Sequence, residues 1–243
     1  MGDIILGDCL EEMIKIRRGT VDLILADLPY GMTACAWDSE IDLRKMWDCF
    51  KHLIKDDGAI VLTASQPFTS RLVMSNPEMF KHEWIWEKTR HSNFLAMKYQ
   101  PAKIHESVLV FGKNPVVYNP IKWYVDEDKI DKRKNVNDPE TNKEGYIGDT
   151  ITRTRKIDDG SRFPKSVLKI SNPNNDTLHP TQKPVELFEY LIKTYSNEGD
   201  TVLDCCAGSG TTGVACNNTN RNYILIEKEP EFYQVIKERL NLA

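Results

Sequence analysis

Short apolar runs alternate with helically spaced apolar residues along most of the chain, and this alternation predicts an α/β fold. Apolar runs of the length and composition that buried strands prefer occur seven times, at residues 3–6, 21–26, 59–62, 84–86, 108–111, 201–203 and 223–226. Apolar residues at helical spacing predict helices over residues 10–16, 41–55, 184–195, 214–217 and 230–240. Because strands and helices alternate, neighbouring strands are expected to pair in parallel within one sheet.

The alternation is lost between Asn114 and Thr177. This stretch is rich in Asn, Asp, Lys and Pro, shows weak periodicity and is much longer than an ordinary connection between elements. We interpret it as an insertion with its own role or as a disordered segment. It divides the chain into residues 1–113, 114–177 and 178–243.

The apolar run 21–26 ends in Asp27-Leu28-Pro29-Tyr30, at the place where an open α/β sheet has its ligand site. Pro29 disfavours a helical conformation at Leu28, so the chain leaves the strand extended. Asp27 and the Leu28 carbonyl can then accept two hydrogen bonds from the exocyclic amine of a planar base, on which Tyr30 can stack. An ordinary turn at a strand end would use the same residue types.

A second chemical signal is the segment from Asp204 to Gly213, which begins where a predicted strand ends. Its glycines fit the G-x-G-x-x-G pattern, and Glu227 at the end of the next strand can bind ribose hydroxyls. This pattern alone would indicate a dinucleotide enzyme. The Asp204 carboxylate would repel a pyrophosphate, however, whereas it would attract the ammonium and sulfonium groups of S-adenosylmethionine. A tight turn without a ligand is the remaining alternative.

The distribution of charge is more informative than its total. The 243 residues carry a formal net charge of −4 and are 40% hydrophobic, which is enough for a full core. Residues 81–172 carry about +5 and the rest about −9, which indicates a basic surface on an acidic body or a merely solvated loop region. The six cysteines lack CxxC spacing, so we expect reduced core thiols and no metal site. With no membrane-length apolar stretch and no leader, we expect a soluble, cytoplasmic protein.

Three segments together resemble the amino-methylating DNA methyltransferases of bacteria and phages. They are the tetrapeptide Asp27–Tyr30, the HPTQKP run at residues 179–184 and the DCCAGSGTTG run at residues 204–213, in the order typical of the β group of that family. The resemblance implies a Rossmann-like sheet of seven strands, mostly parallel with an antiparallel last strand. It also implies that S-adenosylmethionine and a flipped-out target base lie side by side at the strand ends.

The resemblance assigns roles to individual residues by their position in these motifs. The catalytic residues that it implies are Asp27, Leu28, Pro29 and Tyr30. The cofactor-binding residues that it implies are Asp8, Cys9, Asp27, Thr181, Lys183, Asp204, Ala207, Gly208, Ser209, Gly210, Thr211 and Glu227. Two positions depart from the family pattern. Leu28 replaces a proline, and Cys205-Cys206 replaces a Pro-Phe pair that would supply an aromatic wall beside the cofactor.

The same resemblance makes residues 1–113 the catalytic half of the domain, 114–177 a target-recognition insertion and 178–243 the cofactor-binding half. Candidate DNA contacts come from two basic segments. The first contains Arg90, His91, Ser92 and Asn93, which could meet phosphates or the orphaned base. The second contains Arg153, Arg155, Lys156, Arg162 and Lys165, which contact phosphates or are only solvated.

We therefore predict a methyltransferase that acts on the N6 amine of adenine in double-stranded DNA. In the family that the chain resembles, an acid at the position of Asp27 usually goes with adenine and a serine with cytosine, so N4-cytosine methylation is the first alternative. A catalytically weak DNA-binding relative, a dinucleotide oxidoreductase and a protein-glutamine methyltransferase are the others; the tetrapeptide of the last begins with Asn. A homodimer and a cognate restriction endonuclease are left open as partners.

Overall fold

The computed structural model describes residues 2–31, 41–130, 158–173 and 182–241, which contain ten strands and six α-helices. Eight of these strands form one sheet: β1 (Gly2–Leu6), β2 (Val21–Asp27), β3 (Ile54–Ala64), β4 (Phe80–Glu87), β5 (His105–Phe111), β8 (Val167–Lys169), β9 (Thr201–Asp204) and β10 (Asn222–Glu227). The other two, β6 (Trp123–Tyr124) and β7 (Ser161–Arg162), pair with each other. The helices are α1 (Cys9–Met13), α2 (Leu43–Leu53), α3 (Phe68–Ser75), α4 (Val185–Tyr195), α5 (Thr211–Asn218) and α6 (Pro230–Arg239). None of these helices is long and apolar enough to cross a membrane.

Across the described residues the strands of the large sheet follow the order β1-β10-β9-β2-β3-β5-β4-β8. β5 is antiparallel to both of its neighbours, and every other pairing is parallel. The predicted α/β architecture with a mostly parallel sheet is confirmed. Two details are corrected: the described sheet has eight strands instead of seven, and the antiparallel strand is β5, while the last strand in the chain, β10, is parallel.

The connections explain both corrections. Residues 88–104 join β4 to β5 at one edge of the sheet, so the two strands run antiparallel. β10 follows helix α5 in a crossover that returns the chain to its starting edge, which makes β10 parallel to β9. The eighth strand, β8, lies within the predicted insertion and has three residues, too few to produce a periodic signal in the sequence.

Successive residues of β2 pack on opposite faces of the sheet. Leu23 and Leu25 belong to a core formed with α4, α5 and α6, whereas Ile24 and Ala26 belong to a second core formed with α1, α2 and α3. All four side chains are fully buried. Because helices cover both faces, β2 is apolar along its length instead of alternating, and its carboxyl end opens at the edge of the sheet.

Two element boundaries differ from the sequence prediction for identifiable reasons. α2 begins after Asp42, whose side chain accepts hydrogen bonds from the backbone N–H groups of Arg44 at 3.0 Å and Lys45 at 3.2 Å. β3 begins at Ile54, before the predicted strand 59–62, so that Gly58 lies inside it. A Cβ atom there would come within 2.8 Å of the carbonyl oxygen of Asp22, so glycine permits the close approach of β2 and β3 where their register shifts.

The chain forms two compact units, Met1–Asn119 with Lys165–Ala243, and Pro120–Pro164. The smaller unit contains β6 and β7. It is narrower than the predicted insertion 114–177, because β8 pairs with β4 in the larger unit. The target-recognition role of the insertion stays a prediction.

Candidate active site

Parallel strands bring several acidic residues to one edge of the larger unit's sheet. Asp27 ends β2 and lies opposite Thr63 of β3. Asp204 ends β9 and Glu227 ends β10. Since β9 is the direct neighbour of both β2 and β10, the tetrapeptide and the glycine turn, far apart in the sequence, are adjacent in the fold.

The Asp27 carboxylate is held on both of its oxygens. The Tyr30 hydroxyl donates to Oδ1 at 2.8 Å, and the Thr63 hydroxyl donates to the same oxygen. The Lys183 Nζ donates to Oδ2 at 2.5 Å. A carboxylate held by three donors from separate elements has a defined orientation, which is what positioning a substrate amine requires.

Lys183 bridges Asp27 to a second buried acid, Glu106 of β5. Its Nζ lies 3.6 Å from Glu106 Oε2, and Glu106 Oε1 accepts a hydrogen bond from Lys88. Burial alone would lower the pKa of Lys183, but the charges of Asp27 and Glu106 outweigh it and raise that pKa, so the ammonium persists. Lys183 was predicted to bind the cofactor, which stays a prediction, and the structure places it against the Asp27 carboxylate. Sequence reasoning missed Thr63, Glu106 and Lys88 as neighbours of this site.

Tyr30 and Leu28 anchor the tetrapeptide from different sides. The Tyr30 ring stacks on Phe68 of α3 with centroids 5.2 Å apart and planes 27° apart. Burial, followed by the charge of Asp27, raises the pKa of Tyr30, so its hydroxyl remains a donor. Leu28, with a side chain 2% exposed, packs in the core of the α1–α3 face. At the position where the family pattern has a rigid proline, packing of Leu28 therefore restrains the backbone before Pro29.

The glycine turn is built around the buried carboxylate of Asp204. Its Oδ1 accepts the backbone N–H of Cys206 at 3.0 Å, and its Oδ2 accepts the Thr212 hydroxyl. Burial, reinforced by the charges of Asp27 and Glu227, raises the pKa of Asp204 to about 7. The turn thus contains negative charge that a cationic ligand would stabilise.

Glu227 connects the turn to the end of β10. Its Oε2 accepts the backbone N–H of Gly208 at 2.7 Å and its Oε1 that of Glu229 at 2.9 Å. Gly208 and Gly210 have φ angles of +53° and +77°, which glycine adopts without strain. The Gly210 N–H donates to the Ala207 carbonyl at 2.8 Å, which tightens the turn before α5.

Arg239 of α6 stabilises the glycine turn through its hydrogen bonds. Its guanidinium donates to the Ser209 carbonyl at 2.9 Å, to the Ser209 hydroxyl at 3.1 Å and to the Thr211 hydroxyl at 3.2 Å. Ser209 also donates to Gln182 Oε1 at 3.0 Å. The side chains of Ser209 and Thr211 therefore contribute to the scaffold of the turn, and their predicted role in cofactor binding stays a prediction. Arg239 gave no signal in the sequence.

Asp8 and Cys9 lie at the same edge, just beyond β1. Asp8 caps α1 by accepting the Leu10 N–H at 2.9 Å. Hydrogen bonds from the thiols of Cys205 and Cys206 lower the pKa of Cys9. The Sγ atoms of Cys205 and Cys206 are 4.0 Å apart, and all of the described cysteines are free. A thiol cluster thus stands where the family pattern has Pro-Phe.

The first set of candidate DNA contacts forms the base of the loop between β4 and β5. Arg90 Nη2 donates to the Pro173 carbonyl at 2.7 Å, and Asn93 Nδ2 donates to the Pro101 carbonyl at 2.9 Å. The His91 ring stacks on Phe94 with centroids 6.0 Å apart. These side chains shape the loop, and Ser92 donates weakly within it, at 3.4 Å to the Lys103 carbonyl.

The second set of candidate DNA contacts is described only in part. The Arg162 guanidinium is paired with both oxygens of Asp158, at 2.7 and 2.8 Å. Lys165 is exposed. Arg153, Arg155, Lys156 and the predicted cofactor contact Thr181 lie outside the described residues. Within the described ranges, no group of three or more His, Cys, Asp or Glu side chains is arranged to hold a metal ion.

Comparison with known proteins agrees with this geometry. The model of the DNA methylase family, which covers N6 and N4 enzymes, matches residues 21–238. The chain belongs to this family.

Two curated relatives align with almost the whole chain. The type II methyltransferase M.HpaI of Haemophilus parainfluenzae is 26% identical over 98% of this chain and 74% of its own length. The DNA adenine methyltransferase YhdJ of Escherichia coli K12 is 28% identical over 99% of this chain and 83% of its own.

Solved structures share the fold. The M1.HpyAVI–SAM complex superposes with a TM-score of 0.65 at 27% identity, over 99% of this chain and all of that one. The cytosine-N4-specific PvuII DNA methyltransferase superposes with a TM-score of 0.67 at 17% identity, over 98% and 86%, and this likeness concerns the fold alone.

Proposed function

We propose that this protein transfers a methyl group from S-adenosylmethionine to the exocyclic N6 amine of adenine in double-stranded DNA. The observation that carries the proposal is the adjacency of β2 and β9, which sets the Asp27 carboxylate beside the glycine turn. The acid at the first position of the tetrapeptide supports adenine, as does the similarity to the adenine methyltransferase of Escherichia coli.

The residues of the turn suit this cofactor. The ammonium and sulfonium would stabilise the charged form of Asp204, whose pKa is raised by burial and then by the charges of Asp27 and Glu227. Glu227 accepts the backbone N–H groups of Gly208 and Glu229, and a carboxylate has about four acceptor sites, so it can still accept ribose hydroxyls. Asp8 is placed at the same edge, because β1 pairs with β10 in parallel and ends opposite Glu227.

The residues of the tetrapeptide would hold the target amine. Bound S-adenosylmethionine supplies a methyl carbon for attack by the amine nitrogen, and the electron pair of the broken C–S bond stays on sulfur. Asp27 and the Leu28 carbonyl accept hydrogen bonds from the two N–H groups of the amine, which directs the lone pair of its nitrogen toward the methyl carbon. Asp27 is then placed to accept the proton that the methylated nitrogen releases. Extraction of the base from the duplex costs a few kcal/mol, which stacking on Tyr30 partly restores.

A direct assay tests the proposal. The protein is incubated with unmethylated bacterial DNA and S-adenosylmethionine carrying a labelled methyl group, and the DNA is digested to nucleosides. We expect label on N6-methyl-2′-deoxyadenosine when the nucleosides are analysed by mass spectrometry, and none with Asp27→Ala. Label on N4-methyl-2′-deoxycytidine would instead support the alternative specificity, and no label with the parent protein would leave a DNA-binding relative without catalysis.

Sequencing of the methylated DNA would then identify the recognition site. We assign its recognition to the 114–177 insertion, between a catalytic half at residues 1–113 and a cofactor-binding half at 178–243. The protein would act in the cytoplasm on the cell's DNA. Partnership with a restriction endonuclease and dimer formation stay predictions, which co-purification and sedimentation would test.

A further inference from the structure

The loop between β4 and β5, residues 88–104, exposes large apolar side chains to solvent. Leu95 and Tyr99 are each 89% exposed, Phe94 is 74% exposed and Met97 is 41% exposed. We call these four residues the apolar tip. Side chains of this size gain free energy when they leave water, so their clustering on one short loop indicates a surface that is covered during function.

Both ends of this loop contact residues that lie beside the tetrapeptide Asp27–Tyr30. At one end, Lys88 forms a salt bridge with Glu106, the acid that also contacts Lys183. At the other end, the Lys103 ammonium donates to the hydroxyl of Ser65, one residue beyond the end of β3, the strand on which Thr63 binds Asp27. The apolar tip is therefore carried by a loop that starts and ends beside the tetrapeptide.

Polar side chains hold the loop in shape. Asn93 accepts the Lys103 N–H at 2.7 Å and donates to the Pro101 carbonyl, while Arg90 donates to the Pro173 carbonyl. Phe94–Ala96 form one turn of 3₁₀ helix. Arg90 and Asn93, which the sequence offered as DNA contacts, thus also stabilise the loop, and the large apolar residues lie exposed among polar ones.

Charge identifies the partner. Residues 88–104 contain two lysines besides Lys88, one arginine and no acidic residue. The basic residues of the loop suit a polyanion, and its apolar tip suits an apolar cavity. A DNA duplex from which one base has been extracted has a charged backbone and such a cavity between its stacked bases. An extracted base leaves the faces of its stacking neighbours uncovered, and side chains such as Leu and Tyr can cover them.

We propose that the apolar tip enters the DNA duplex beside the target adenine and fills the space that the extracted base leaves. This inference rests on the proposed function and extends it by naming the surface that stabilises the extracted state. Leu95 and Tyr99 make the principal contacts because they are the most exposed. The contacts at the two ends of the loop keep it next to the tetrapeptide that contains Asp27.

The test compares the parent with a double variant, Leu95→Ala with Tyr99→Ala. Met74→Ala is the matched control, because Met74 is 73% exposed on α3 and lies outside the loop. Two duplexes carry the recognition site found by sequencing: one is fully paired, and one has an abasic residue opposite the target adenine, which makes extraction less costly. A third, with 2-aminopurine at the target position, reports extraction by fluorescence.

We expect the double variant to methylate the paired duplex at least about tenfold more slowly than the parent, and the abasic duplex at a rate within about threefold of the parent. Its 2-aminopurine signal should fall, while Met74→Ala behaves as the parent. Equal losses on the paired and abasic duplexes, or no loss on either, would overturn the role of the tip. So would sedimentation showing a parent dimer that the double variant cannot form, since a second copy would then cover the tip. A parent without activity on any DNA would instead overturn the proposed function.

Discussion

At the scale of single residues, the site is organised by alternating charges around Asp27. Lys183 lies between Asp27 and Glu106, and Glu106 lies between Lys183 and Lys88. Buried charges are tolerated when each is paired with an opposite charge, and removal of one partner leaves the other buried and unpaired. The orientation of the Asp27 carboxylate thus depends on residues outside the tetrapeptide.

The tetrapeptide gives the first prediction. Asp27→Ala and Tyr30→Ala should abolish methylation, because both residues are assigned to the target base, while calorimetry should show little change in cofactor affinity. Tyr30→Phe is the control: it retains the ring and loses only the hydroxyl that donates to Asp27. If either alanine variant stays within about tenfold of the parent rate, roughly 1.4 kcal/mol of barrier, its role is misassigned.

The second prediction concerns Lys183 as a positioning residue. Lys183→Met removes the cation between Asp27 and Glu106, so we expect kcat to fall about 100-fold, roughly 2.7 kcal/mol of barrier. KM for the cofactor should change little, because Lys183 contacts the Asp27 carboxylate, which is assigned to the target base. Lys183→Arg keeps the charge and should recover part of the rate. A loss of cofactor affinity without a loss of kcat would return Lys183 to the cofactor-binding role predicted from the sequence.

The third prediction follows from the pKa of Asp204, which burial raises to about 7 from an ordinary value near 3.8. Between these values the folded state binds more protons than the unfolded state. The stability that Asp204 contributes is therefore full below about pH 4 and is lost as pH rises to about 7. A pKa difference of about three between the folded and unfolded states corresponds to about 4 kcal/mol of unfolding free energy at most.

Urea unfolding of the parent and of Asp204→Asn, between pH 5 and 8, measures this effect. The neutral amide does not titrate, so the free energy of unfolding of the parent should fall relative to the variant as pH increases. A difference between the two proteins that stays constant with pH would show that Asp204 titrates at an ordinary value in the folded state.

At the scale of elements, the turn from β9 into α5 depends on glycine geometry. Gly210 has a φ of +77°, and a Cβ atom there would lie 3.1 Å from Ile236 Cγ2 on α6. Gly199, before β9, has a φ of +83° and open space around it. The two positions separate backbone strain from steric contact.

The fourth prediction uses this pair. Gly199→Ala should cost about 1 to 2 kcal/mol of unfolding free energy, the strain of a left-handed alanine. Gly210→Ala should cost more, because it adds the contact with Ile236, and it should also weaken cofactor binding by displacing the turn. Thermal unfolding and calorimetry measure both effects. Equal destabilisation of the two variants would mean that α6 yields to the added methyl group.

At the scale of the whole molecule, the fifth prediction concerns the basic stretch of the chain. Phosphate contacts release counterions, so DNA affinity should fall steeply with salt concentration. Replacing Arg153, Arg155 and Lys156 together by glutamine should flatten the slope of log affinity against log salt. Lys45→Gln is the control, since Lys45 is exposed on α2, outside that stretch. An unchanged slope in the triple variant would make these residues ordinary solvated surface.

Local patterns were sufficient for the kinds of element and for the two chemical motifs. The continuous apolar run of β2 and the glycines after β9 are short-range signals, because strand burial and turn conformation impose their requirements on consecutive residues. The alternation of strands and helices predicted the parallel sheet, and the resemblance of the motifs to those of the methyltransferase family implied that both lie at the strand ends. Helix α3 and strands β6, β7 and β8 were missed, since their periodicity is too short or too weak to detect.

Tertiary structure alone decided which distant side chains meet. The sequence contains no signal that Lys183 would bind Asp27, that Arg239 would hold the turn, or that Arg90 would bind the carbonyl of Pro173. The antiparallel direction of β5 and the place of β8 in the sheet were equally hidden. Each depends on the path of the chain between elements, and the energy of a contact depends on the distance between two groups, which their spacing along the sequence does not determine.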